Sequence, residues 1–200
     1  VSDILLFMSE GYSVENKTIL INRSLNDLDH FVKDFLAVLK KETKYLIVSG
    51  YISISTGRVR GTEDVDVLIP KPSFEEFNEL FGKLNDAGFW CYQTDNVEDA
   101  YEYIKDLSSI RFARKDEMYP NMEVIPVTPK KTAQWYELNN PQKYIIKTLE
   151  FNGSPVEFEI AYKEARLGSQ KDLEDAKHLR TMFKKILKEE TIKHYKRMMK

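Results

Sequence analysis

Asp64 and Asp66 stand two residues apart in a stretch where Arg60, Thr62, Asp64 and Asp66 precede or interleave with Val65, Val67 and Ile69. Residues two apart on a strand point to one face. The polar set would then line one side, with the two carboxylates about 7 Å apart, and such a pair can bracket divalent cations. Two cations about 3.5–4 Å apart are a device for in-line phosphoryl displacement, one activating the attacking hydroxyl and the other neutralising the leaving pyrophosphate. Upstream, Tyr45 to Val48 is a short β-prone run that ends at Ser49 and Gly50, and Tyr51 to Thr56 reads as a short helix. Glycine lets backbone approach a phosphate closely, helix-start N–H groups hold phosphate oxygens, and Arg58 or Arg60 would add a charge-assisted contact. One site could thus hold a nucleoside triphosphate by Ser49, Gly50, Arg60 and Thr62, and metal ions by Asp64 and Asp66. An Asp-x-Asp pair is common on ordinary surface strands. It is the order of strand, small pair, short helix, basic residues and alternating carboxylates that singles this stretch out.

The elements that would position these residues follow from spacing. Leu25, Leu28, Phe31, Val32, Phe35, Leu36 and Leu39 recur on one helical face over 24–41, with Ser24 and Asp27 resembling its cap. Arg58 to Ile69 contains a strand that Pro70 and Pro72 punctuate. Ser73 and Glu76 form a capping-box pattern ahead of a stripe of Phe74, Phe77, Leu80, Phe81 and Leu84, and Gly88 supplies the stop. A short acidic helix is predicted over 97–107, and strands over 110–113 and 122–127 around the turn 119–121. Residues 143–151 read as a strand closing on the Asn152-Gly153 turn. Ser154, Pro155 and Glu157 mark a helix start, with Pro155 at the first helical position. Gly168 and Ser169 stop that helix and cap another carrying Leu173, Ala176, Leu179, Phe183 and Ile186. The fold class expected is α+β: a small mixed β-sheet flanked by helices over 1–130, then a mostly helical part over 131–200.

Composition narrows the function classes. Apolar residues are 42% and charged residues 31% of 200, which supports a buried core. The net charge of −2 gives no overall pull toward nucleic acid or anionic membrane. Residues 180–200 nevertheless hold eight basic and two acidic side chains, a basic tail that reads as a solvated helix face or a phosphate contact. Cys91 is the sole cysteine, so no intrachain disulfide forms, and no Cys/His cluster has zinc spacing. The longest apolar run, Ile4 to Met8, is far below the roughly 20 residues of a membrane span. A cytoplasmic protein with no membrane partner is expected. His30, His178 and His194 read as surface or packing residues. Tyr92, Tyr101, Tyr103, Phe112 and Trp135 read as core sooner than as base-stacking groups, and Arg111 and Arg114 could reach a substrate.

The run from Tyr45 to Gly50, followed by Gly57 to Leu68 with Asp64-Val65-Asp66, resembles the signature of the DNA-polymerase-β-like nucleotidyltransferase superfamily. It is most similar to the small prokaryotic branch of minimal nucleotidyltransferases and toxin–antitoxin toxins. Ser49-Gly50 reverses the Gly-Ser order of that pattern, and the gap from Tyr51 to Glu63 is thirteen residues. The resemblance implies a third metal-site carboxylate on a following strand. Glu123 occupies the implied place in chain order, and Glu157 and Glu159 are the alternatives. It also extends to 156–179, where it implies that Lys163 faces a phosphate. Asp172 and Asp175, one helical turn apart, read more simply as a helix-start residue and the partner of a nearby lysine.

The resulting expectation is a nucleotidyltransferase that uses two Mg²⁺ ions and moves a nucleoside monophosphate from an NTP to a hydroxyl on a protein or an RNA such as tRNA. Asp64, Asp66 and Glu123 are its catalytic and metal residues, and Ser49, Gly50, Arg60, Thr62 and Lys163 its nucleotide-binding residues. The rival is a non-catalytic module of the same fold, a toxin–antitoxin component or pseudoenzyme, with an antitoxin or a second copy as partner. A third reading, RNA binding through the basic tail, would show steep salt dependence and survive loss of both aspartates.

Overall fold

The computed structural model describes residues 11–59, 61 and 64–199. Arg60 and Thr62, like the apolar run 4–8, lie outside the described residues.

The described residues form one nine-stranded mixed sheet in the order β1-β2-β8-β9-β3-β4-β7-β6-β5. The strands are β1 (Tyr12–Glu15), β2 (Thr18–Ile21), β3 (Leu46–Val48), β4 (Asp64–Pro70), β5 (Phe89–Cys91), β6 (Ile110–Arg114), β7 (Asn121–Val127), β8 (Gln142–Ile146) and β9 (Leu149–Gly153). The eight helices among these residues are α1 (Asp27–Glu42), α2 (Gly50–Ser55), α3 (Phe74–Asp86), α4 (Val97–Lys105), α5 (Thr132–Asn139), α6 (Val156–Tyr162), α7 (Gln170–Met182) and α8 (Glu189–Met198). None is long and apolar enough to cross a membrane.

The sheet is larger than the small one expected. The difference lies in β1, β2, β5 and the β8–β9 hairpin, short strands of three to five residues, of which β2 and β8 join across more than a hundred residues. Residues 143–151 are two strands and a turn, not one strand; Lys147 takes the left-handed conformation at that turn (φ 52°). This hairpin sits between β2 and β3, parallel to each, so the sheet runs across residue 130. The part after 130 is helical otherwise, with α5 to α8.

Local chemistry explains the helices. Asn26 caps α1: its side chain accepts the Asp29 N–H at 2.9 Å, and the Asp29 carboxylate accepts the Asn26 N–H at 2.8 Å. The cap therefore falls two residues after the expected Ser24. Ser73 and Glu76 close the reciprocal box of α3 as read from sequence. Helix α6 opens with Pro155 as cap residue, one position beyond the expected Ser154, and no side chain closes it. It runs on into a wider π-helical turn over Lys163–Leu167, ended by Gly168 at φ 67°. Ser169 then caps α7 by accepting the Asp172 N–H.

Two apolar layers hold the sheet. Val65, Val67 and Ile69 of β4 join the large core with Phe35, Ile47, Met122 and Val124. Leu68, on the opposite face, joins a small cluster with Leu46, Val127 and Leu138 beneath α5. At Gly153 a β-carbon would stand 2.7 Å from Ile52 Cδ1 and 2.9 Å from the Tyr144 ring. Glycine there lets α2 press directly onto the sheet beside β3.

Candidate active site

The alternation of β4 separates its residues. Val65 and Val67 are buried, Asp64 is exposed and Asp66 half-buried, on the face that carries Leu68. Register then builds a row across four strands. Val48 of β3 faces Asp66 of β4, Asp66 faces Glu123 of β7, and Glu123 faces Arg111 of β6. Neighbouring strands lie about 4.8 Å apart, so Asp66 and Glu123 are side by side and Asp64 lies two positions along. Asn121, opposite Asp64, donates to its Oδ1 at 2.5 Å.

Ser49 closes β3 at φ 62° and ψ −130°, a backbone region that disfavours side chains, and Gly50 starts α2. The strain falls on the first residue of the Ser49-Gly50 pair, where the Gly-Ser order would have placed glycine. The Ser49 hydroxyl hydrogen-bonds Asp66, and its N–H donates to Glu159 Oε2 at 3.3 Å. Replacing Ser49 with Gly should relieve about 1 kcal/mol or more of strain and raise Tm by roughly 2–4 °C per kcal/mol. A thermal melt of Ser49→Gly that is unchanged or lower would show the turn to be unstrained.

Electrostatics mark Asp66 as the strained acid of the row. Burial pushes its carboxyl above the ordinary range, and Glu123 and then Asp64 add like-charge repulsion. The Ser49 hydrogen bond and the Lys163 charge oppose the shift. Glu123 is better satisfied: Ser109 Oγ donates to it at 2.6 Å, and Arg111 donates through Nη2 at 2.7 Å and Nε at 3.1 Å. The Arg111 guanidinium also feels Asp64 and Asp66, so one cation serves three carboxylates.

Asp64, Asp66 and Glu123 are thus on one face, yet among the described residues no three His, Cys, Asp or Glu side chains are close enough together to hold a metal ion. By donor type Asp64 and Asp66 fit a hard divalent cation. Glu123 would join them only by exchanging its Arg111 contact. The alternatives for a third carboxylate, Glu157 and Glu159, lie on α6 and not on a strand.

Lys163 is enclosed. It is 0% exposed, with Nζ 3.0 Å from Asp175, 3.2 Å from Glu159 and 3.8 Å from Asp172. The surrounding carboxylates hold its pKa up against desolvation. It therefore faces acids and not an open phosphate cleft, and Asp175 is the lysine partner that its spacing suggested. Arg58 is committed too, 2.9 Å from Glu174 and 2.9 Å from Asp175 of α7. Glu159 links the groups: it touches Lys163 on one side and the Ser49 turn on the other.

Beside Ser49 and Asp66 lies a hollow of about 190 Å³ with Gln134, Glu137, Glu159 and Tyr162 in its wall. Sequence reasoning missed Glu137, Asn121 and Ser109. Asn121 and Ser109 become visible only once register is known, and Glu137 gives no local signal. A larger hollow, about 580 Å³ between α1 and the β8–β9 hairpin, shares no described lining residue with the carboxylate row. His178, as expected, packs, with its Nε2 3.2 Å from Thr56 Oγ1, and Cys91 is buried and free. No protein-family model matches the chain, and no curated protein matches it.

Proposed function

We propose that the chain is a metal-dependent nucleotidyltransferase acting from the face of β4, β7 and β6. One observation carries the reading: Asp66 and Glu123 share a register position on adjacent parallel strands, with Asp64 on the same strand as Asp66 and the strained Ser49-Gly50 turn abutting Asp66. In the reaction, an acceptor hydroxyl oxygen forms a bond to the α-phosphorus of an NTP. The bond from that phosphorus to the bridging oxygen breaks, and pyrophosphate leaves with the electron pair. The hydroxyl proton passes to a carboxylate of the row, where burial, and then the neighbouring Glu123 and Asp64, have raised the proton affinity of Asp66. Two Mg²⁺ ions, when bound by Asp64, Asp66 and a released Glu123, would neutralise charge on the phosphates and activate the hydroxyl. Arg111 would then turn from Glu123 to an anionic oxygen, a charge-assisted contact of the same kind. Ser49 and Gly50, with Arg60 and Thr62, seat the triphosphate in this reading, and a protein or RNA hydroxyl is the acceptor.

The non-catalytic module remains the second reading, favoured by the Arg111 and Ser109 contacts that already satisfy Glu123. A thermal-shift titration with ATP, GTP, CTP and UTP in Mg²⁺ separates the two. At 100 times Kd a nucleotide adds about 2.7 kcal/mol, or roughly 5–10 °C in a chain of this size. Such a shift, abolished by EDTA, is the expected result for at least one nucleotide. No shift with any of the four overturns the enzyme reading.

A further inference from the structure

The hollow of about 580 Å³ between α1 and the β8–β9 hairpin lies where the sheet opens. Strand β9 meets β3 at one register position, Ile47 opposite Gly153. Away from that point the strands part, with residues 43–45 on one side of the gap and 150–152 on the other. The Tyr45 hydroxyl reaches across and accepts the Asn152 N–H at 3.4 Å. Residues two apart on a strand share an edge, so the Glu150 N–H also turns to the gap, where β3 does not meet it. Helix α1 supplies a further wall: Lys33, Ala37 and Lys40 follow one another on one helical face, and Lys44 extends that side. Ala37 is exposed, and its short side chain leaves room between the lysines.

No carboxylate neutralises these lysines among the described residues. Lys33 Nζ donates to Thr148 Oγ1 at 2.9 Å and Lys44 Nζ to Asn139 Oδ1 at 2.8 Å, both uncharged, and Lys40 has no partner there. The one acid in the described wall, Glu150, is held at 2.7 Å by Lys143, which lies outside that wall. Tyr45 is buried, and nothing among the described residues accepts its own proton. Burial pushes the phenol above its ordinary range, so it stays a donor at neutral pH. The cleft thus offers three ammonium groups, a phenol O–H and a main-chain N–H. Such a donor set calls for oxygens that carry negative charge.

We propose that this cleft binds a small molecule through a phosphate or pyrophosphate group, held by Lys33, Lys40 and Lys44 with the Tyr45 hydroxyl as a neutral donor. Three ammonium groups without counter-charge match a group bearing more than one negative charge, and lysine serves phosphate as a point charge. The volume falls within the range of small-ligand pockets, about 300–1,000 Å³. Leu36 and Ala37 add apolar surface for the rest of the molecule. The site does not rest on the transferase reading.

The test is calorimetric titration of the full chain at pH 7 and fixed ionic strength, with EDTA present so that no divalent cation draws the anion to the carboxylate row. Sodium pyrophosphate should bind about tenfold tighter than sulfate or citrate, the difference of one charge-assisted hydrogen bond. Lys40→Gln, at an exposed position, should weaken pyrophosphate about threefold, and Lys33→Gln with Lys40→Gln about tenfold or more. Asp66→Asn should leave the affinity unchanged. No binding of pyrophosphate overturns the proposal, and so does equal binding of sulfate or citrate, which would be general ionic attraction only. Full affinity in the folded double variant overturns it as well, as does loss of binding in Asp66→Asn, which would place the anion at the row. If the lysine variants do not fold, the wild-type comparison and Asp66→Asn decide the matter. The transferase reading requires a nucleotide shift that EDTA abolishes, whereas this site binds with EDTA present, so either can fail alone.

Discussion

Asp66→Asn is expected to lower nucleotidyl transfer by about 10³-fold or more while leaving the melting temperature at pH 7 unchanged or higher. The activity loss follows from charge: cation-held phosphates stabilise a transition state by several kcal/mol, and 4 kcal/mol is roughly 10³ in rate. The stability half follows from linkage. Burial, Glu123 and Asp64 raise the Asp66 carboxyl above its unfolded value. A raised acid makes the folded state hold the proton more tightly, so stability falls as pH climbs from the unfolded pKa through the folded one. At pH 7 the ionised Asp66 is therefore a cost, and asparagine removes it. Transfer of radiolabel from an NTP and thermal melts of the same samples read the two halves. Retained transfer would remove Asp66 from the chemistry. Lost transfer together with a large drop in Tm would make it a structural residue instead.

Lys163→Met should lower stability by about 3–5 kcal/mol, the usual result of breaking a buried ion pair from one side, and so lower Tm by about 10 °C or more. The lysine is 0% exposed and lies between Asp175, also 0% exposed, and Glu159 at 2%. Without it Asp175 keeps Arg58, while Glu159 keeps the long bond from the Ser49 N–H and the neighbouring Ser154 hydroxyl, both neutral donors. Glu159 is thus the acid left charged and poorly matched. The carboxylates raise the Lys163 pKa above its unfolded value, so its stabilisation is fully present below about 10.5 and a melt at pH 7 sees all of it. Adding Glu159→Gln to Lys163→Met should recover part of the loss, because the two residues touch. A drop of less than about 3 °C for the single variant would show the cluster to be energetically neutral.

What the sequence could reveal divides along a physical line. Asp64 and Asp66 were legible because a two-residue period ending in prolines needs no distant partner to be recognised. The caps of α3 and α7 were legible for the same reason, since a side-chain cap closes within four residues. The α1 cap was misplaced because Ser24 and Asn26 carry similar acceptor chemistry, and only packing selects between them. The pairing of β2 with β8 was beyond local reading: Thr18–Ile21 lies beside Lys143–Ile146, and nothing in either stretch announces the other. At the site, Glu123 came from chain order, whereas its contact with Arg111 came from register across β6 and β7. The i,i+4 spacing of Glu159 and Lys163 is plain in the sequence. That the pair is buried is not, because burial depends on α7 folding over it. Glu137 shows the limit most clearly: one acid on a helix without a marked apolar face, distinguished only by what surrounds it.

The placement of the β8–β9 hairpin between β2 and β3 bears on how the chain is made. Emerging from a ribosome, residues 11–139 bring with them β2 and β3, each lacking the neighbour it will finally have. Both present raw hydrogen-bonding edges, the kind of surface that recruits stray strands from other chains. Only when residue 153 leaves the exit tunnel can the gap between them be filled. Long-range pairing of this sort is slow, so the nascent polypeptide carries open edges until residue 153 has emerged, and a chaperone that shields strand edges has its greatest opportunity in that interval.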